Sequence, residues 1–227
     1  MRALLLPVKD LRNAKQRLAS ALSPSDRRSL AEAMLSDTIR AVSEVREADA
    51  IFVVTNYEPV VQIARANGWE ILREDNQVSE SVSVDAASRS CEKRGFSAVL
   101  RIPLDIPLVW ARDIDELLVI DPDGPAVVIV PSRDGTGTNA ILRTPPTLFP
   151  SHFGSGSFAK HCAEAQGVEA QVIIRRNPRL EMDVDDESDL RALLQHGLGA
   201  TATGEWLAQS GVLCRLNDLS AHPAAAR

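Results

Sequence analysis

The chain runs to 227 residues, 44% of them hydrophobic, with 25 Lys and Arg against 31 Asp and Glu and a formal net charge of −6. This length and apolar content suit a single α/β domain, expected over residues 1–220, and the acidic balance excludes the basic surplus of a nucleic-acid binder. Three cysteines, Cys91, Cys162 and Cys214, are odd in number and far apart, so neither a disulfide framework nor a zinc site is expected, and a reducing cytoplasm is the natural setting.

The opening apolar run is too short for a signal-peptide core or a membrane span, so residues 2–6 read as a buried first strand and no membrane partner is expected. Ser23-Pro24-Ser25-Asp26 opens a long helix: Ser23 can cap, Pro24 suits the first turn and Asp26 complements the dipole. Leu30, Met34, Leu35, Ile39, Val42 and Val45 follow at helical spacing. Residues 50–55 form a continuous apolar run, as expected of a strand buried on both faces. A short helix over 59–67 stops at Gly68, a strand covers 69–73, and a helix over 81–94 ends at Gly95.

Residues 98–102 form another buried strand, followed by the turn Pro103-Leu104-Asp105-Ile106-Pro107. A strand over 126–130 leads into Pro131-Ser132-Arg133-Asp134-Gly135-Thr136-Gly137-Thr138-Asn139-Ala140. A second small-residue turn, Phe153-Gly154-Ser155-Gly156-Ser157-Phe158, runs into a helix over 157–166 that Gly167 ends. A strand over 172–175 and a helix over 186–196, stopped by Gly197, complete the regular pattern. The remainder, with Trp206, Leu207, Val212 and Leu213, reads as a closing flap, and residues 221–227 as a frayed tail. Strands alternating with helices predict one mainly parallel central sheet flanked by helices, Rossmann-like in its layering.

Ligands of open α/β sheets bind outside the carboxyl ends of strands, and three such ends carry chemistry here. After the first strand, Lys9, Arg12, Lys15 and Arg17 cluster in an acidic protein. They either steer and hold an anion, Lys15 and Arg17 suiting phosphate oxygens, or form a solvated face. The loop lacks the P-loop pattern. Asp105 can ligate a divalent cation that bridges phosphates, or bond its own backbone in an Asp-Ile-Pro turn. Asp183 and Asp185 alternate in an extended segment, so they point the same way and one of them could meet Asp105 across a metal. Equally, carboxylates are favoured at the start of a helix. The two glycine turns offer free N–H groups, hydroxyls and Arg133, a pocket for a phosphorylated or carboxylated small molecule. His161 lies one turn after Ser157 and could reach that pocket or serve structure. No Gly-x-Ser-x-Gly elbow and no Gly-x-Gly-x-x-Gly after the first strand is present, which argues against a serine hydrolase and a dinucleotide-binding enzyme.

Taken in order, these segments resemble a known family. Leu6-Pro7-Val8-Lys9 with Ala14-Lys15-Gln16-Arg17-Leu18 is similar to the opening loop of nucleotidyltransferases with a GT-A-like fold. Asp105-Ile106-Pro107-Leu108, the 131–140 turn, Phe153–Phe158 with His161, and Asp183-Val184-Asp185 resemble the guanylyltransferases that activate 2-phospho-L-lactate or phosphoenolpyruvate in deazaflavin coenzyme F-420 biosynthesis. The resemblance implies magnesium, GTP as donor and a small phosphorylated carboxylic acid as acceptor, 3-phospho-D-glycerate being a third candidate. It implies that Thr138, Gly154 and Ser157, with Arg133 nearby, hold the acceptor. Asp105 with Asp183 or Asp185 would hold the metal, and Pro7, Lys9, Lys15 and Arg17 would face the nucleotide.

One stretch departs from the family. Its members carry a glycine-containing loop, often Gly-Leu-Asn, before the helix that helps hold guanine, whereas this chain has Ser79-Glu80-Ser81-Val82-Ser83-Val84-Asp85. Ser81, Ser83 and Asp85 could read a base edge, or be a cap and polar residues of a helix. Alternatives to the main reading are a nucleotidyltransferase acting on a sugar phosphate or a molybdopterin, a nucleotide-binding regulator without turnover, and a structural α/β domain whose loops do not converge. A homodimer is left open.

Overall fold

Continuous apolar runs can form strands only where both faces of a sheet are covered. That is how β1 (Arg2–Pro7), β2 (Ala50–Val54) and β4 (Ala98–Arg101) are used in the computed structural model, which describes residues 1–74 and 78–221. Leu4 and Leu6 face one layer of helices and Ala3 and Leu5 the other. The first layer is α1 (Pro24–Ser43), α2 (Glu58–Ala66) and α4 (Ala111–Leu118). The second is α3 (Glu80–Lys93) and α5 (Ser157–Gly167). With β3 (Glu70–Leu72), β5 (Ala126–Pro131), β6 (Thr138–Thr144) and β7 (Gln171–Ile174), the strands form one sheet in the order β3-β2-β1-β4-β6-β5-β7.

The pairs β3–β2, β2–β1, β1–β4 and β5–β7 are parallel, as the alternation of elements predicts. β6 is antiparallel to both β4 and β5 and joins the two parallel blocks. It follows the glycine turn directly, so the expected loop is in fact a β5–β6 hairpin with a register shift at Val130/Pro131. The ends of β1, β4 and β5 and the beginning of β6 therefore lie on one edge, where the site forms.

Ser23 caps α1 with its reciprocal partner Asp26, as read from the sequence. The expected flap is two helices, α7 (Ala202–Gln209) and α8 (Val212–Ala221), which follow α6 (Glu187–Leu194). They close a smaller core in which Leu207, Val212 and Leu216 meet Leu18, Leu30, Met34 and Leu193. The buried Asp37 carboxylate of α1 accepts from the N–H groups of Ala202 (2.7 Å) and Thr203 (2.9 Å), fixing the start of α7. Ala221 belongs to α8, and the rest of the expected tail, 222–227, lies outside the described residues.

Arg143 of β6 is 2% exposed, so its charge must be met inside the protein. It donates to Asp85 of α3 (3.2 Å), to the Phe149 carbonyl (2.6 Å) and to Ser88 Oγ (2.8 Å). Asp85 in turn accepts from the Ser151 N–H (3.1 Å) and hydroxyl (2.7 Å), which fastens the segment leading to the second glycine turn onto α3. Asp85→Ala leaves the Arg143 guanidinium without its counter-charge. Breaking such a pair costs about 3–5 kcal/mol, and Asp85→Asn, which keeps an acceptor oxygen, costs less. Urea unfolding of both variants measures this; an Asp85→Ala protein as stable as wild type contradicts it.

Candidate active site

A cleft of about 930 Å³ opens on the strand edge described above. It is lined by the loop after β1, the turn after β4, the β5–β6 turn, the start of α5 and the acidic run before α6, with Met34 of α1, Glu80 of α3 and Arg101 of β4 also reaching it. Pro7, Lys9, Lys15, Arg17, Asp105, Arg133, Thr138, Gly154, Ser157, Asp183 and Asp185 all contribute, so most of the expected site residues are brought together.

The loop after β1 is short of regular structure: two 3-10 turns, Leu11–Asn13 and Gln16–Leu18, flank Lys15. Lys15 stands between them in the left-handed region at φ 54°. That bend sends its side chain, 8% exposed, to Asp105 Oδ2 (2.5 Å) and Asp185 Oδ1 (3.1 Å). Burial opposes the ammonium's charge, but Asp105 and then Asp185 outweigh it, and the lysine pKa is raised. The same balance lowers Asp105: burial disfavours its charge, and Lys15 and Arg101 overcome that. Arg17 reaches Asp185 at 3.6 Å from the exposed rim. Lys9 is exposed at the mouth, whereas Arg12 turns back to Asp10.

Asp183 is the outlier. Its carboxyl is pushed up to about 7, by burial first and then by the charge of Asp105, against a hydrogen bond from Asn139 Nδ2 (3.1 Å). Asp183 thus lies near the charges of Asp105 and Asp185, the two carboxylates that share the Lys15 ammonium. Among the described residues no group of three or more His, Cys, Asp or Glu side chains is spaced to hold a metal ion unaided. Two carboxylates addressing one cation nevertheless suit magnesium, which completes its shell with water and phosphate oxygens.

The opposite wall is built by the β5–β6 turn. Ser132 Oγ accepts the Gly137 N–H (2.7 Å) and donates to Asp134 (2.5 Å). Asp134 also takes the Thr136 N–H (3.0 Å) and hydroxyl (2.8 Å), and these bonds hold its pKa down at about 2. A Cβ on Gly137 would lie 2.9 Å from Ser132 Oγ, so a larger residue there would displace the serine that closes this turn. At the start of α5, the Ser157 and Phe158 N–H groups are already taken by the carbonyls of Gly154 and Thr136. Among the described residues the N–H groups of Gly154, Ser155 and Gly156 have no such partner, so the concavity of free donors is this turn rather than the helix end itself.

Several residues lie elsewhere than expected. Ser81 Oγ accepts the Phe153 N–H (2.9 Å), Asp85 is committed to Arg143 and Ser151, and neither lines the cleft. Both tie α3 to the segment that carries the second glycine turn, a structural use that their helical polar pattern also fits. Arg133 lines the cleft, but its guanidinium is engaged by Asp189 (2.8 Å) of α6. Arg101 and Glu80 were not legible in the sequence: Arg101 looks like the polar end of a strand, yet it is 7% exposed, pairs with Glu80 and covers the Phe153 ring at 4.1 Å.

The sheet order is that of the GT-A-like fold. A crystal structure of a protein assigned as a nucleotide-diphospho-sugar transferase from Desulfovibrio desulfuricans G20 has this fold, with a TM-score of 0.70, 17% identity, and coverage of 97% of this chain and 95% of that one. More narrowly, the family described as guanylyl transferase CofC like matches residues 1–222, and the chain belongs to it. It is 34% identical over 195 residues to phosphoenolpyruvate guanylyltransferase of Rubrobacter xylanophilus, covering 85% of this chain and 93% of the relative. It is 32% identical over 198 residues to 2-phospho-L-lactate guanylyltransferase of Methanothermobacter thermautotrophicus, covering 87% and 86%. No helix among the described residues is long and apolar enough to cross a membrane.

The Asp183 shift has a sign. A carboxyl held near 7 in the folded chain and near its ordinary value of about 4 when unfolded keeps a proton that the unfolded chain loses in between. Its contribution to stability is therefore full below about pH 4 and is lost as pH rises through 7. Asp183→Asn cannot ionise, so its stability relative to wild type should climb between pH 5 and pH 8. Urea midpoints across that range test this, and a difference that does not vary with pH contradicts it.

Proposed function

We propose that this chain transfers the GMP unit of GTP to a small phosphorylated carboxylic acid, with release of pyrophosphate, in deazaflavin coenzyme F-420 biosynthesis. Phosphoenolpyruvate, 2-phospho-L-lactate and 3-phospho-D-glycerate are the candidate acceptors. The observation that carries the reading is the meeting of Asp105 and Asp185 on one cation, between a basic loop and a turn whose Gly154, Ser155 and Gly156 N–H groups have no partner among the described residues. A structural domain would have no reason to bring these carboxylates together from positions 80 residues apart in sequence.

In this reading an oxygen of the acceptor's phosphate attacks the α-phosphorus of GTP in line. The bond to the bridging oxygen breaks, and pyrophosphate carries away the electron pair. The attacking phosphate is already ionised near neutral pH, so positioning and charge neutralisation carry the rate rather than a strong base. Pro7, Lys9, Lys15 and Arg17 face the nucleotide, with Lys15 and Arg17 drawing its phosphate oxygens. Thr138, Gly154 and Ser157, with Arg133 at the rim, hold the acceptor. Magnesium, bound by Asp105 with Asp185 and Asp183, would neutralise charge on the reacting phosphates. A cation arriving there competes with the Lys15 ammonium for the same two carboxylates.

Pairing GTP, ATP and CTP with each acid and measuring pyrophosphate identifies both substrates. GTP with at least one of the three acids is the expected productive pair. Release only with a sugar phosphate, or with no acid at all, contradicts the proposal. Asp105→Asn should lower kcat/KM by on the order of 10²–10³-fold with an unchanged circular dichroism spectrum.

A further inference from the structure

Thr138 lines the cleft, but its hydroxyl is not free to choose its role. The oxygen lies 3.0 Å from Nδ1 of His161, four residues along α5 from Ser157. The imidazole is fully buried, with the Phe153 ring edge-on at 5.2 Å and Phe149 beyond. Its other nitrogen, Nε2, accepts the backbone N–H of His152 at 2.9 Å.

These contacts fix the tautomer. A ring nitrogen that accepts an N–H bond carries a lone pair, so Nε2 holds no proton. Burial, the guanidiniums of Arg143 and Arg101, and His152 oppose a positive ring more than Asp85 favours one, and the pKa falls to about 3. His161 is thus neutral at working pH with its single proton on Nδ1, where it donates to Thr138 Oγ1. The hydroxyl, having accepted, must direct its own hydrogen elsewhere; among the described residues no other group bonds it, and the cleft that Thr138 lines is the side left open.

We propose that His161 is a positioning residue that sets Thr138 as a hydrogen-bond donor toward the anionic acceptor. The inference rests on the phospho-acid reading above and extends it to a residue that does not touch substrate. A hydroxyl locked as a donor suits phosphate or carboxylate oxygens and gives nothing to a group that itself needs an acceptor. Selectivity for an anion on this wall then comes from a neutral network, Phe153 and His152 holding the ring and the ring holding the hydroxyl.

Two substitutions separate this role from packing. In His161→Asn the amide stands where Nδ1 stood and can still donate to Thr138, while the bond from His152 is lost. In His161→Gln the longer side chain can accept from His152, while the donor to Thr138 is lost. With phosphoenolpyruvate, 2-phospho-L-lactate and 3-phospho-D-glycerate each tested against saturating GTP, the KM for the productive acid should rise roughly tenfold or more in His161→Gln. It should stay within about threefold of wild type in His161→Asn, and the KM for GTP should move in neither. Thermal unfolding of both variants reports packing alone. Acid KM values that follow Tm instead of the Nδ1 donor overturn the proposal.

Nitrogen-15 spectra of the wild-type histidines supply a readout that needs no turnover. His161 should show a protonated Nδ1 and a bare Nε2, unchanged from pH 5 to pH 8. A proton on Nε2, or titration in that range, overturns the proposal even if the acceptor proves to be a different anion. Absence of turnover in the wild type with all three acids would fail the phospho-acid reading and leave the tautomer to be judged by the spectra.

Discussion

The cleft depends on the ammonium of Lys15 standing between Asp105 and Asp185. Three segments remote in sequence meet there, and each would be repelled or unsupported without the charge. A non-glycine residue at positive φ is disfavoured by about 1–2 kcal/mol, so the bend at Lys15 persists because its ion pairs more than offset it. Removing one partner of a buried pair typically costs about 3–5 kcal/mol, which exceeds that strain. Beside this junction the Asp183 carboxyl is pushed up to about 7, by burial first and by the charge of Asp105 second.

The two walls of the cleft use different physics. The wall built by the loop after β1 is ionic, with Lys15 and Arg17 on Asp185 and Lys15 on Asp105. The opposite wall is held by short polar bonds, Ser132 and Thr136 gathered on the Asp134 carboxylate and Thr138 on the neutral His161 ring. β6 joins them because successive strand residues point to opposite faces. Thr138 bonds His161 on the α5 side, and Asn139 bonds Asp183 and the Leu180 carbonyl on the other. A shift of the hairpin by one residue would exchange these partners and disable both walls at once.

Much of this was legible in the sequence for identifiable reasons. Apolar runs such as Ala50–Val54 have no other use than a sheet covered on both faces, and Ser23 with Asp26 marks the start of α1 unambiguously. Asp105, Lys15 and the first glycine turn were visible because they follow strands, and the second because it runs into a helix. β6 was hidden, since it begins in the polar Thr138-Asn139 pair and carries the buried Arg143, which looks like surface until Asp85 and Ser88 are seen around it. The same pairing misdirects Asp85 toward the nucleotide: a carboxylate that caps a loop and one that reads a base look alike in sequence. Arg101 escaped because its partners, Glu80 and the Thr138 and Asn139 carbonyls, come together only in three dimensions.

Manganese binding followed by electron paramagnetic resonance, without nucleotide, tests the junction most directly. If Asp105 and Asp185 form one cation site that Lys15 fills in the resting chain, Lys15→Met should bind the ion more tightly than wild type, by roughly tenfold or more, because a competing ammonium is gone. Asp105→Asn should bind it more weakly than wild type. A Lys15→Met protein with wild-type affinity, or an Asp105→Asn protein that binds as well as wild type, would contradict the account.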